Sequence, residues 1–177
     1  MASAAVVVNG IPGSGKTTVA ASLEVELGFP VVSKDAIKEA FADLVSVQMD
    51  TRRLGALASD VMWSLVGMVD GPVIVESFWA RGRDEEFFRR GVADAGIDVA
   101  VEVWCEVSVE TARRRFEERP RHPVHQDTER GFEWEQLVRA ARPISQFPTI
   151  IVNTDAPVDM PKLVVELRAA LDLSAQT

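Results

Sequence analysis

The chain has 177 residues, 47% of them hydrophobic and 26% charged, with a net charge of −8. That length suits one compact domain with its own core, and the composition excludes a disordered or collagen-like chain. The acidic balance weighs against a protein that grips nucleic-acid phosphates, which needs an electropositive face.

One cysteine, Cys105, cannot form an internal disulfide, and with only His122 and His125 beside it an ordinary structural zinc site is out of reach. The apolar runs fall far short of the roughly 20 residues of a membrane helix. No basic segment precedes the N-terminal apolar stretch, so the expectation is a cytoplasmic protein with no membrane partner.

Ala4–Asn9 is almost wholly apolar and runs into a glycine, which predicts a strand buried on both faces, as in a parallel sheet. After Lys16, apolar residues recur at Val19, Ala20, Leu23 and Leu27 with helical period, and Gly28 marks the stop. A second strand is predicted over 30–33, then a helix over 34–44 with Ile37, Ala40, Phe41 and Leu44 on one face. A longer helix covers 52–69, Gly71-Pro72 breaks the chain, Val73–Glu76 is a third strand and 84–95 another helix.

The fourth strand lies over 99–107. Ser108 then caps an Arg-rich helix that runs through Arg119 and is stopped by Pro120 and Pro123. Residues 120–131 are expected to form a mobile connection and 132–141 a helix. Thr149–Asn153 is the fifth strand; the turn Asp155-Ala156-Pro157 leads to a last helix over 160–171. Strands alternating with helices predict a single three-layer α/β domain: a five-stranded parallel sheet covered on both sides, because parallel strands need crossover connections.

Gly10-Ile11-Pro12-Gly13-Ser14-Gly15-Lys16-Thr17 matches G-x-x-x-x-G-K-[ST] at every fixed position and lies between the first strand and the first helix. Glycines let backbone N–H groups turn towards phosphate oxygens, the helix N-terminus adds its positive end, and Lys16 supplies a mobile charge. Gly10, Gly13, Ser14, Gly15, Lys16, Thr17 and Thr18 are therefore the candidate nucleotide-binding residues, with the Thr17 hydroxyl on Mg²⁺. A glycine turn that merely links strand to helix is the competing reading, and the flanking elements weigh against it. No N-K-x-D segment for guanine is present, and the length leaves no room for the sensor domain of an AAA-type motor. A small kinase that uses ATP is favoured.

With the segments Ser33-Lys34-Asp35-Ala36-Ile37-Lys38, Val73–Glu76 and the arginines near 113–121, the chain resembles the P-loop small-molecule kinases. The resemblance is to the branch holding gluconate and shikimate kinase-like enzymes, chloramphenicol phosphotransferase, zeta toxin and polynucleotide kinase, and it spans nearly the whole chain. It implies the P-loop NTPase fold with a small Arg-rich lid at about 113–131. It also implies that Asp35, just after the second strand, faces the acceptor hydroxyl as a catalytic base. Capping of the following helix by Ser33 or Asp35 is the alternative role. Lys38 stands where such kinases often carry Arg, keeping the charge and losing the bidentate fork.

The resemblance further implies that Glu76 supports Mg²⁺ or the acceptor, although Asp is commoner there, and it places lid arginines over ATP. Arg115 and Arg119, four apart and so on one helical face, are favoured for phosphate, and Arg114 is assigned to the nucleotide. Pairing with Glu117 and Glu118 on a solvated face is the alternative for any of them. Asn153 and Asp155 correspond to the turn that touches adenine. Trp79, Arg81 and His125 are candidate acceptor contacts, with burial of Phe78 and Trp79 in the core as the competing role and Phe78 the more buried of the two. A metal at His122, His125 and Asp127 is disfavoured by its incomplete ligand set.

The reading is thus an ATP- and Mg²⁺-dependent phosphotransferase acting on a hydroxyl of a sugar, nucleoside or antibiotic-like molecule. A 5′-hydroxyl polynucleotide kinase or a zeta-toxin-like nucleotide-sugar kinase is the alternative within the family, the first disfavoured by the −8 charge. A nucleotide-dependent regulatory protein, in which Asp35 only caps, is the alternative from another class. The sequence leaves the oligomeric state open.

Overall fold

The computed structural model describes residues 4–45, 49–120, 122–125, 138 and 141–174. Its strands are β1 (Ala4–Asn9), β2 (Val31–Ser33), β3 (Val73–Glu76), β4 (Val99–Glu106) and β5 (Thr149–Asn153). Its helices are α1 (Lys16–Leu27), α2 (Lys34–Asp43), α3 (Thr51–Met68), α4 (Glu85–Asp94), α5 (Val109–Glu118) and α6 (Met160–Ser174). The helix expected over 132–141 is described only at Val138, which is helical, and Ala141, which is not; its other residues, together with Arg121 and 126–131 of the expected lid, lie outside the described residues.

The strands form one sheet in the order β2-β3-β1-β4-β5, every neighbouring pair parallel. All five C-terminal ends therefore meet at one edge, where loops rather than sheet hydrogen bonds occupy the space. β1 is central because it is buried on both faces. Ala5 and Val7 face one layer with α3 and α4, while Val6 and Val8 face the other with α1 and α6. The period of two in the strand fixes this division.

A third apolar cluster, Ile11, Trp104, Ala112, Val138 and Ala141, lies beneath the loop after β1 and anchors α5 against it. This is the three-layer parallel α/β domain expected from the alternation, in the P-loop NTPase architecture that the resemblance implies. Among the described residues no helix is long and apolar enough to cross a membrane.

One buried charge organises the middle of the sheet. Glu102 on β4 is fully buried and accepts hydrogen bonds from Asn9 Nδ2 at 3.0 Å, Ile144 N at 3.0 Å and Ser145 N at 2.8 Å. Three donors offset the cost of taking a carboxylate out of water. Through them Glu102 ties the segment at 144–145 to β4 and to the last residue of β1.

Candidate active site

The loop from Gly10 to Gly15 turns back under its own helix. Ser14 N donates to Ile11 O at 3.0 Å, and α1 starts directly after Gly15, whose φ of 78° places it in the left-handed region with no side-chain cap on the helix. The first N–H groups of α1 are therefore left for an anion, and the helix dipole favours one there. The buried Ser14 hydroxyl has no partner among the described residues, a second polar group awaiting a ligand in this loop.

Gly13, at φ 86°, packs so closely on α5 that a Cβ there would overlap the Ala112 carbonyl. Gly13→Ala is accordingly expected to lower stability by roughly 1–3 kcal/mol from backbone strain alone. Displacement of α5 from the loop should weaken nucleotide binding as well. Denaturant unfolding and titration with an ATP analogue measure the two effects.

Glu76, at the end of β3 and 1% exposed, gathers side chains from α1 and β2 at this edge of the sheet. Ser33 Oγ donates to its Oε2 at 2.6 Å, Thr17 Oγ1 to its Oε1 at 3.4 Å, and Lys16 Nζ stands 4.0 Å from Oε1. Register explains the meeting: Val8 of β1 pairs with Glu76, and Glu76 pairs with Ser33 of β2. Hydroxyl and carboxylate oxygens beside a phosphate loop are the hard donors that Mg²⁺ takes, so Thr17 and Glu76 fit that ion. The neighbouring Cys105 thiol is pushed up to about 12 by burial, with Lys16 opposing, and stays protonated at neutral pH.

On the other side of α1 a cavity of about 510 Å³ is lined by Gly15, Thr18, Arg115, Thr154, Asp155 and Pro157, among others. Thr154, which the sequence reading passed over between Asn153 and Asp155, shapes it. Its hydroxyl donates to Ser14 O at 2.7 Å and lies 2.9 Å from Glu106 O, and its carbonyl accepts from Arg115 Nη2 at 2.8 Å. Asp155 receives Ser108 Oγ at 2.8 Å and Ser108 N at 2.9 Å, and these bonds hold its carboxyl below the usual carboxylate range. Asn153 Oδ1 accepts from Asp155 N at 2.8 Å, closing the turn.

The four arginines separate here. Arg115 alone reaches the loop, its Nη1 standing 3.8 Å from where a Cβ on Gly15 would lie. Arg113 pairs with Glu117 at 3.0 Å on the exposed face, and Arg114 is exposed. Arg119 is the C-cap of α5 with ψ 125°. Its N–H still bonds to Arg115 O at 3.2 Å, so the helical spacing between the two holds and the chain turns away only after Arg119.

Ser33 resolves the capping alternative. Its hydroxyl accepts from Ala36 N at 3.5 Å as the N-cap of α2, while Asp35 sits inside the first turn. Lys34, next to it, has its pKa lowered by burial, with Asp35 and Asp84 opposing and Arg83 adding to the drop. Lys38 is buried and donates to Thr51 Oγ1 at 2.7 Å.

Trp79 and Phe78 exchange their expected roles. Trp79 is the buried one, 3% exposed and stacked edge-on against Phe88 and tilted on Trp63, whereas Phe78 is half-buried under the Arg83 guanidinium at 5.6 Å. The reason is Asn9, whose Oδ1 accepts from Trp79 N at 3.1 Å and whose Nδ2 donates to Trp79 O at 3.3 Å. That pair of bonds sets which side chain turns inward. Arg81 is exposed and lies 3.6 Å from Glu85.

His125 Nε2 meets Glu39 Oε1 at 2.8 Å and His122 Nε2 meets Asp43 Oδ1 at 2.9 Å, both on α2. Val124 N donates to His122 Nδ1 at 3.2 Å, which leaves the His122 proton on Nε2 facing Asp43. The two rings point to separate carboxylates, and no cluster able to hold a metal occurs among the described residues. Asp127 lies outside them.

Comparison with known proteins agrees with this geometry. A family model described as AAA domain matches residues 6–144, while no curated protein matches the chain. A solved protein of Chloroflexus aurantiacus j-10-fl, provisionally described as a kinase, has 27% identity and a TM-score of 0.83, covering 95% of this chain and 98% of that one. A sugar kinase of Janibacter sp. HTCC2649 has 18% identity and a TM-score of 0.61, covering 96% and 95%. The Mycobacterium tuberculosis APS kinase, solved with AMPPNP and APS, has 19% identity and a TM-score of 0.60, covering 93% and 96%. At these identities the last two show a shared fold. With its glycine loop closed over α1, Glu76 beneath Lys16 and Thr17, and the family match across most of its length, the chain belongs to the AAA-domain family of P-loop proteins.

Proposed function

We propose that this protein is an ATP-dependent kinase that transfers the γ-phosphate to a hydroxyl of a small molecule. The observation that carries the reading is the Glu76 carboxylate, which binds Ser33 and Thr17 and lies beside Lys16. It fastens the nucleotide loop to the start of the helix that bears Asp35. In this reading the donor phosphate and the acceptor base share one buried anchor.

In this reading Lys16 and Arg115 stabilise the negative charge of the transferring group, and Asp35 accepts the acceptor's proton as its oxygen attacks phosphorus. Mg²⁺ held at Thr17 and Glu76 would neutralise charge between the β and γ phosphates. Gly10, Gly13, Ser14, Gly15 and Thr18 supply the phosphate cradle, and the cavity at Thr154 and Asp155 receives the base. Arg114 and Arg119 belong to the lid that closes over the nucleotide. Lys38, Arg81 and His125 surround the acceptor, with Trp79 buried in the wall behind them.

The test is ADP release with Mg²⁺-ATP across sugars, nucleosides, hydroxylated antibiotics and a 5′-hydroxyl oligonucleotide, with Lys16→Ala as the blank. Turnover raised well above the no-acceptor rate by one small-molecule class is the expected result. Stimulation by the oligonucleotide alone, or by nothing, overturns the reading.

A further inference from the structure

Beyond Lys34 and Lys38 the site does not end; it opens into a groove between α3 and α4 with a volume of about 1250 Å³. Pockets for compact ligands run to roughly 300–1,000 Å³. The lining residues on α3 recur at helical spacing from Thr51 to Met68, the whole helix. At 1.5 Å per residue its 18 residues extend about 27 Å. Gly55, Ala56, Ser59, Ser64 and Gly67 form the floor, and their small side chains keep the groove open.

The charge along it is uneven. Arg83 pairs with Asp84 at 2.6 Å, Arg90 lies 3.8 Å from Asp94, and Arg81 lies 3.6 Å from Glu85. Lys34, Lys38 and Arg52 stand together at the end nearest Asp35, in a protein whose net charge is −8. Lys34 and Arg52 form no ion pair with a described residue. Further along, Trp63 is 6% exposed, and its indole N–H, in the groove wall, makes no hydrogen bond among the described residues. Two large apolar side chains stand open to solvent along it, Phe87 at 65% exposed about one turn before the level of Trp63, where Gly91 packs on the indole, and Met68 at 78% exposed past it.

Resting on the kinase reading, we infer that the acceptor is an elongated compound, with its hydroxyl and one anionic group at the Lys34 and Arg52 end and an apolar or aromatic tail lying along α3 and α4, past Phe87 and towards Met68. Lys34 and Arg52, which are outside the groove's ion pairs, lie at one end, and that suits a single anionic group. A polyanion would carry its later phosphates past Asp60 and Asp94, which face the same groove.

The probes are lactate, 2-hydroxyoctanoate, phenyllactate, the neutral octane-1,2-diol and a 5′-hydroxyl oligonucleotide, titrated calorimetrically into the protein saturated with Mg²⁺ and a non-hydrolysable ATP analogue. 2-Hydroxyoctanoate and phenyllactate should each bind at least about tenfold more tightly than lactate, the effect of burying about two methylenes. 2-Hydroxyoctanoate should also bind more tightly than the diol. Ser59→Phe, which fills the groove midway, should remove the tail's advantage and leave lactate and the ATP analogue unchanged. Arg52→Gln, an exposed substitution, should remove the preference for the acid over the diol.

Equal affinity for long and short acids, preference for the diol or the oligonucleotide, or binding of none of them overturns the inference. ADP release on the same compounds separates it from the reading beneath it. Tail-dependent binding without ADP release supports the groove's ligand and overturns the kinase; ADP release on short neutral alcohols with no tail preference does the reverse.

Discussion

Asp35→Ala is expected to lower acceptor-dependent ADP release by about 10²–10⁴-fold, the usual contribution of a general base, while ATP-analogue affinity stays close to that of the parent protein. The separation is possible because Ser33, not Asp35, caps α2. Removing an acidic side chain from a first turn costs about 0.3–1 kcal/mol through the helix dipole, too little to unfold a domain of this size. Asp35→Asn preserves the shape and removes only the basicity, so it should lose turnover to a similar extent. Acceptor-stimulated turnover that survives in both variants would sink the base assignment and leave Asp35 as a helix-start residue.

Lys16→Ala is expected to reduce turnover by about 10²–10³-fold, as loss of one preorganised charge contact to a transition state does, and to weaken nucleotide binding too. A structural cost accompanies it. Lys16 is 8% exposed and stands 4.0 Å from a carboxylate that, among the described residues, otherwise meets only the Ser33 and Thr17 hydroxyls. The variant should therefore melt below the parent even without ligand, since an uncompensated buried charge destabilises. Saturating Mg²⁺-ATP should raise Tm in the parent by linkage and far less in the variant. An equal rise in both would show that Lys16 takes no part in holding the nucleotide.

Much of the fold is local in origin and was therefore legible before the structure. Ala4–Asn9 is buried on both faces, α1 stops at Gly28 in the left-handed conformation, and Ser108 caps α5 by accepting from Thr111 N at 3.3 Å. Each depends on residues within a few positions of one another. The expected helix limits at 34–44, 52–69 and 84–95 differ from the observed α2 by one residue at its C-terminal end and from α3 and α4 by one residue at each end, within the range over which helix ends fray.

The site was legible where a spacing rule carried it and illegible where burial did. Glu102 is a charge in the buried middle of an apolar strand, VAVEVWCE, whose other glutamate is exposed at its end, a signal that marks a buried polar contact without naming its partner. Its donors at Asn9, Ile144 and Ser145 are up to 93 residues away. Asn9 in turn decides that Trp79 rather than Phe78 enters the core. Arg115 and Arg119 share a face by arithmetic, but that spacing does not name the one near the glycine loop, and it is Arg115 Nη1 that stands 3.8 Å from where a Cβ on Gly15 would lie.

The sequence by itself determined the order of strands and helices, the glycine loop at its required junction, and the residue types at each strand end, because period, caps and turns act over short distances. Only the tertiary structure decided the strand order β2-β3-β1-β4-β5, and with it the meeting of Lys16, Thr17, Ser33 and Glu76. It also decided the groove between α3 and α4. Those contacts join residues far apart in the chain, and their energies come from packing and desolvation in the assembled core rather than from any one segment's own preference.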